Sequence, residues 1–122
     1  MPTKITIELP QTLTKEEVIE ILKREALKKK FKKTELFEKH SKNKDIAYKI
    51  ADYVDRYLKR YYKGLKYEIL LDYDLDEDIN IIRVFVKGID LDKQLQIEEK
   101  LDRIINSKFG DISLHNIVIV EG

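Results

Sequence analysis

The chain has 122 residues, of which 43% are apolar and 39% charged, with 24 basic and 23 acidic side chains. This length suits one domain, residues 1–122, with a single hydrophobic core, and the apolar content argues against disorder. The absence of cysteine excludes disulfides and thiolate chemistry, and the longest aliphatic run, residues 117–120, is too short to span a bilayer. We therefore expect a cytoplasmic protein without membrane contact, and its Lys-, Glu- and Ile-rich composition is typical of thermophiles.

The first half of the chain predicts one strand followed by several helices. Residues 4–9 alternate polar and apolar side chains, as a half-buried strand does. Thr14 and Glu17 have the spacing of a capping box, which predicts a helix from there to about Lys33. Its predicted buried side carries the apolar residues Val18, Ile19, Leu22, Ala26 and Leu27. Thr34 is expected to cap a short helix, and a longer helix over residues 44–63 should end at Gly64.

The second half changes to a period of two and then back to a helical period. Residues 67–75 and 81–87 read as two strands joined by a turn at 76–80. Asp90 or Asp92 is expected to cap the last helix, which should end at Gly110 before a final strand over residues 116–120.

The resulting element order, β-α-β-β-α-β, resembles that of a ferredoxin-like fold. The resemblance is one of architecture and names no family. It implies an α+β domain with a four-stranded antiparallel sheet. Residues 14–63 would add extra helices to the first crossover, where that fold has one helix.

The charges are unevenly distributed. Residues 1–67 carry 18 basic and 10 acidic side chains, whereas residues 68–122 carry 6 and 13. Cations beside tyrosine rings are typical of surfaces that bind single-stranded nucleic acid. The candidates for such a surface are Lys28, Lys29, Lys30, Lys32, Lys33, Arg56, Tyr57, Arg60 and Lys63. The alternative is structural, because several cations of this half, Lys29 and Arg56 among them, stand four residues after an acid and would stabilise a solvated helix face.

An acidic run at residues 72–78 is the second candidate feature. Asp72, Asp74 and Asp76 alternate along a strand that enters a turn, where they could hold Mg²⁺ or Ca²⁺. The run does not fit the EF-hand pattern, since Glu77 stands at the position of the loop glycine. Charges on an edge strand also prevent pairing with other chains, and we favour that reading and predict no bound metal or cofactor.

The third feature is a sheet face that is too apolar to be solvated. If Ile82 and Val84 face the helices, the other face presents Leu70, Ile81 and Phe85 with a pair from the last strand. Either the helix at residues 44–63 or a second copy of the protein must then cover this face.

These features favour a non-catalytic interaction module that forms a homodimer. The alternative is a protein that binds nucleic acid weakly and without sequence preference. A metal-dependent phosphotransfer enzyme or nuclease is a third hypothesis. No catalytic residue can be assigned, because His40 and His115 are far apart in sequence and have no partner motif.

Overall fold

The computed structural model describes residues 13–122, apart from the side chains of residues 112 and 113, and the chain divides into two compact units at Lys30. The predicted strand at residues 4–9 lies outside the described residues. Each unit is described by itself below.

The N-terminal unit contains helix α1, Lys15–Lys30. Its capping box is confirmed: the Glu17 N–H donates to Thr14 Oγ1 at 3.1 Å, and the Thr14 N–H donates to Glu17 Oε1 at 3.0 Å. The prediction that α1 extends to Lys33 is wrong, because the chain becomes extended after Lys30.

The predicted burial of one side of α1 is also wrong. No residue of the helix is buried, and Leu22 keeps 63% of its surface exposed. A helical period identifies the side that a packing layer would cover, but it does not show that such a layer is present.

The C-terminal unit, Phe31–Gly122, contains three α-helices, a 3-10 helix and four strands. In chain order these are β1 Lys32–Lys33, α2 Glu35–His40, α3 Lys44–Tyr61, β2 Lys66–Asp74, β3 Ile79–Lys87, α4 Leu91–Phe109, the 3-10 helix Gly110–His115 and β4 Asn116–Glu121.

The sheet is mixed, with the strand order β1-β2-β3-β4. The β2–β3 hairpin is antiparallel, but β1 pairs with β2 and β4 pairs with β3 in parallel. The prediction of a fully antiparallel sheet is therefore wrong, and the described strands do not establish a ferredoxin-like order. The physical reason is that each outer strand is joined to its neighbour by a helical crossover, which returns the chain in the same direction.

The helices pack on one face of this sheet, called the helix face. The register places Leu71 beside Ile82 and Ile82 beside Val118, so these three side chains share that face. They are buried together with the apolar sides of α3 and α4. Residues that those helices contribute to the core are Ala47, Tyr48, Ile50, Ala51, Val54, Leu58, Ile97, Leu101 and Ile105. The helix face is thus the hydrophobic core of the C-terminal unit.

Local capping follows the sequence closely. Thr34 caps α2 by accepting from the Phe37 N–H at 3.2 Å, and Asp90 caps α4 by accepting from the Lys93 N–H at 2.8 Å. Gly64 follows α3 with a φ of 86°, a backbone conformation that favours glycine.

Candidate interaction surfaces

The face of the sheet opposite the helices is called the open face. It carries the predicted interface residues Leu70, Ile81 and Phe85. Ile81, Arg83 and Phe85 of β3 alternate with the helix-face residues of that strand, and Leu70 of β2 pairs with Arg83. The last strand contributes Ile117 and Ile119 to the same face. The structure therefore brings the predicted apolar residues of three strands together.

Helix α3 does not cover the open face. Tyr67 points to the helix face, and its hydroxyl donates to the Asp55 carboxylate of α3 at 2.5 Å. The alternative in which the helix at residues 44–63 covers the open face is therefore wrong, because that helix packs on the helix face.

Arg83 lies in the middle of the open face between two carboxylates. Its Nε is 2.9 Å from Asp72 Oδ2, and its Nη1 is 2.9 Å from Glu121 Oε2. Burial raises the pKa of Asp72, but hydrogen bonds from Arg83, the Thr34 hydroxyl and the Tyr73 N–H outweigh burial and hold it below its ordinary value. The Arg83 cation is thus neutralised by carboxylates of the two neighbouring strands.

The acidic run does not converge on a metal position. Asp72 is held by Arg83, whereas Asp74 accepts from the backbone N–H groups of Asp76 and Glu77 at 3.0 and 3.1 Å and so stabilises the turn. Within residues 13–122 no group of three potential ligands is close enough to hold a metal ion.

The predicted basic residues lie on three different elements of the chain. Lys28, Lys29 and Lys30 end α1 in the N-terminal unit. Lys32 and Lys33 form β1, where alternation directs them to opposite faces of the sheet, and Lys33 lies over the Tyr48 ring on the helix face. Lys32 and Lys33 are therefore not part of a helix, as the predicted helix to Lys33 implied, because the helix ends at Lys30.

Of the remaining candidates, Tyr57 and Arg60 lie on α3 within an aromatic cluster. The ring centroids of Tyr57 and Tyr61 are 4.6 Å apart, and Tyr62 lies 6.2 Å from Tyr57. The Arg60 guanidinium stands 5.4 Å from the centroid of the Tyr61 ring, which is 59% exposed. Arg56 instead pairs with Asp52 of the same helix at 2.9 Å. Lys63 follows the helix and is exposed.

A buried polar cluster joins β3 to β4 and to the start of α3. Asn80 accepts from the Ser41 hydroxyl at 2.6 Å and donates to Asn116 Oδ1 at 2.9 Å. All three residues are buried. The two hydrogen bonds therefore give each of these buried polar side chains a partner, as buried polar groups require.

A cavity of about 170 Å³ opens beside that cluster. It is lined by Lys42, Asn43, Tyr73, Asp78, Asn80 and His115. The Tyr73 hydroxyl donates to Asp78, and this hydrogen bond, followed by the charge of Lys42, lowers the pKa of the Asp78 carboxyl. His40 lies elsewhere, in the last turn of α2. This grouping was not predicted from the sequence, although Asn80 and Asn116 stand in phase with the apolar residues of their strands.

A second cavity lies at the other end of the β2–β3 hairpin. Its volume is about 580 Å³, and it is lined by Asp55, Lys59, Leu65, Lys66, Tyr67, Glu68, Phe85 and Lys87. The buried Asp55 accepts from Tyr67 and lies 3.2 Å from Lys59 Nζ. Burial, followed by the hydrogen bond to Asp55, raises the pKa of the Tyr67 phenol.

The chain is similar to a protein of Methanocaldococcus jannaschii that is described as uncharacterized. The two are 46% identical over 44 residues, which cover 35% of this chain and 31% of that protein. The chain thus matches about a third of the length of that curated relative. No family model and no solved structure matches the chain. None of the helices among residues 13–122 combines the length and apolar character needed to cross a membrane.

Proposed function

We propose that this protein is a non-catalytic interaction module that associates with a second copy of itself through the open face. The packing of α3 and α4 on the helix face supports this function. It leaves the half-buried Leu70 and Phe85 on a face that no helix of the C-terminal unit uses, whereas Ile81 of the same face is already buried within the chain. Apolar surface of this kind gains about 25 cal/mol per Å² when it is removed from water.

The charges at the centre of the open face are compatible with burial in an interface. Arg83 already has Asp72 and Glu121 as partners at 2.9 Å. A partner that covers this face would therefore not leave an unpaired charge in the interface, which is the costly case.

The charges at the two ends of the hairpin favour a second copy as the partner. Lys66 and Lys87 face each other across the ladder at one end, and Asp74 with Asp76 lie at the turn end. A two-fold axis normal to the strands would place the basic end of one copy over the acidic end of the other. Such an interface is self-complementary, as a two-fold dimer requires.

Phe85→Glu tests this proposal. We expect the unmodified protein to have the mass of a dimer in light scattering and the variant to have that of a monomer, with the circular dichroism of both unchanged. Leu95→Glu is the matched control, because Leu95 lies on α4 and is 49% exposed, and it should remain dimeric. A monomeric mass of the unmodified protein at high micromolar concentration would contradict the proposal.

The aromatic cluster of α3 favours a second candidate function, the binding of single-stranded nucleic acid. Tyr61 is exposed, stacks beside Tyr57 and carries the Arg60 guanidinium over its ring. Bases stack on rings of this kind without sequence preference, while the cation neutralises a phosphate.

Binding of an oligo(dT) strand across a salt series tests this candidate. Tyr61→Ala should weaken binding by about 1–3 kcal/mol if a base stacks on that ring. Arg60→Gln should reduce the slope of log affinity against log salt by about 0.7, the value for one phosphate contact. Arg56→Gln is the matched control and should change the slope less, since Asp52 already neutralises Arg56. Absence of binding at low salt would leave self-association as the function.

A further inference from the structure

A groove separates α3 from α4 on the exposed side of the helix layer in the C-terminal unit. The two helices are antiparallel. The ring of Tyr53, in the middle of α3, lies 5.7 Å from that of Phe109 at the end of α4. The ring of Tyr62, just after α3, lies 5.8 Å from Lys93 Nζ at the start of α4. A cavity of about 550 Å³ in this groove has no acidic side chain in its lining, which consists of Tyr53, Arg103, Ile104, Ser107 and Lys108.

One wall of the groove is a row of rings, called the tyrosine row, made of Tyr53, Tyr57, Tyr61 and Tyr62. The first three stand four residues apart, so successive rings lie on the same side of α3. The Tyr57 ring is 4.6 Å from that of Tyr61 and 6.2 Å from that of Tyr62. Tyr61 is exposed and the other three rings are half-buried. The aromatic cluster around Tyr61 is therefore one end of a longer row.

The other wall of the groove carries cations of α4. The Nζ atoms of Lys93 and Lys108 lie 5.8 and 5.5 Å from the ring centroids of tyrosines at opposite ends of the tyrosine row. Lys100 lies about two helical turns from each of them and therefore on the same side of α4. At about 1.5 Å per residue, the cations from Lys93 to Lys108 extend over about 22 Å.

Two acids of α4 lie on the other side of the helix. Glu98 accepts from the Val120 N–H of β4 at 2.8 Å, and Asp102 follows one turn later. Burial, followed by the charge of Glu98, raises the pKa of the Asp102 carboxyl. Lys100 and Lys108 have no acid three or four residues before them in the sequence. Acid-first pairs that stabilise a solvated helix therefore do not account for these two lysines.

We propose that the groove between α3 and α4 binds a single strand of nucleic acid, with its bases on the tyrosine row and its phosphates on the cations of α4. This inference rests on the second candidate function above, to which it adds the phosphate contacts and the course of the strand. Adjacent rows of rings and cations match a strand whose bases and backbone are both accessible. The open face lies on the opposite side of the sheet, so self-association there would leave the groove accessible.

Binding of a fluorescent oligo(dT) of about twelve nucleotides across a salt series tests this course. The double variant Lys100→Gln, Lys108→Gln should reduce the slope of log affinity against log salt by about 1.4, because each phosphate contact on a single strand contributes about 0.7. The double variant Lys39→Gln, Lys42→Gln is the matched control. It loses the same charge, but both of its lysines pair with acids outside the groove, so its slope should equal that of the unmodified protein.

Tyrosine fluorescence gives a second readout, because the chain has seven tyrosines and no tryptophan. Oligo(dT) should quench this emission as its bases stack on the tyrosine row. A duplex of the same length should cause much less quenching, since its bases are already stacked on one another.

An unchanged slope in the Lys100→Gln, Lys108→Gln variant, or equal quenching by the duplex, would overturn the proposed course of the strand. Binding of oligo(dT) would in that case still support the second candidate function. Absence of oligo(dT) binding by the unmodified protein at low salt would instead remove both, so the two failures are distinguishable.

Discussion

Asn80 and Asn116 face each other across β3 and β4, and the amide of Asn80 donates to the side-chain oxygen of Asn116 at 2.9 Å. Both side chains are buried at the end of an otherwise apolar row. Asn80 also accepts from Ser41, so it joins a strand, its neighbour and the loop before α3. This residue is therefore expected to matter more for stability than its size indicates.

Asn80→Ala should lower the free energy of unfolding by roughly 2–4 kcal/mol, because it leaves the Ser41 hydroxyl and the Asn116 amide oxygen buried without that partner. Urea unfolding followed by circular dichroism measures the change. Asn106→Ala, at an exposed position of α4, is the matched control and should cost less than about 1 kcal/mol. Equal losses in the two variants would show that the buried cluster adds nothing.

Asp72 should make the stability of the protein fall as the solution becomes acidic. Its folded-state pKa lies below the ordinary value, so the folded protein binds this proton less readily than the unfolded chain. The stabilisation is present above the unfolded-state value of about 3.9 and is lost as pH falls through the folded-state value. Asp72→Asn should therefore flatten the fall in stability below about pH 4. Asp111→Asn, at an exposed position of the 3-10 helix, is the matched control.

Tyr67→Phe should destabilise the protein by roughly 1–3 kcal/mol, since it removes a donor from the buried Asp55. The substitution should also change how the stability of the protein falls at alkaline pH. The folded-state pKa of Tyr67 is raised, so its stabilisation is complete below the unfolded-state value of about 10 and is lost as pH rises further. The variant should lose less stability than the unmodified protein above about pH 10. Tyr61→Phe, at an exposed ring, serves as the control.

Gly64→Ala should cost about 1 kcal/mol, because a Cβ is unfavourable at a φ of 86°. An added Cβ would meet no atom within 4 Å, so the cost should come from the backbone alone. Gly64→Asn should cost less, as asparagine tolerates this conformation. Thermal unfolding compares the two, and equal losses would indicate a steric cause instead.

The sequence predicted the elements of the C-terminal unit well, because their ends carry local signals. These signals are capping residues that bond to backbone groups only a few positions away. The structure begins α2 after Thr34 and α4 after Asp90, and it ends α4 at Gly110, as the sequence indicates. The period of two in β2 and β3 also identified which side chains share a face.

The direction of the strands and the change from helix to extended chain after Lys30 could not be predicted in the same way. The residues Lys32 and Lys33 have no apolar alternation, and they become a strand only by pairing with Leu70 and Leu71 far along the chain. The direction of β4 follows from the crossover through α4 and leaves no mark in its own residues. The polar cluster at Asn80 was overlooked because each of its members is unremarkable in its local sequence.

The mixed pairing of the sheet has a consequence for the order of folding. The β2–β3 hairpin closes through a short turn, whereas each parallel pair requires a full helical crossover and therefore a larger loss of chain entropy. We expect the hairpin to be formed in the transition state and the outer strands to join later. Conservative truncations at Ile82 should then slow folding, while those at Val118 should mainly accelerate unfolding.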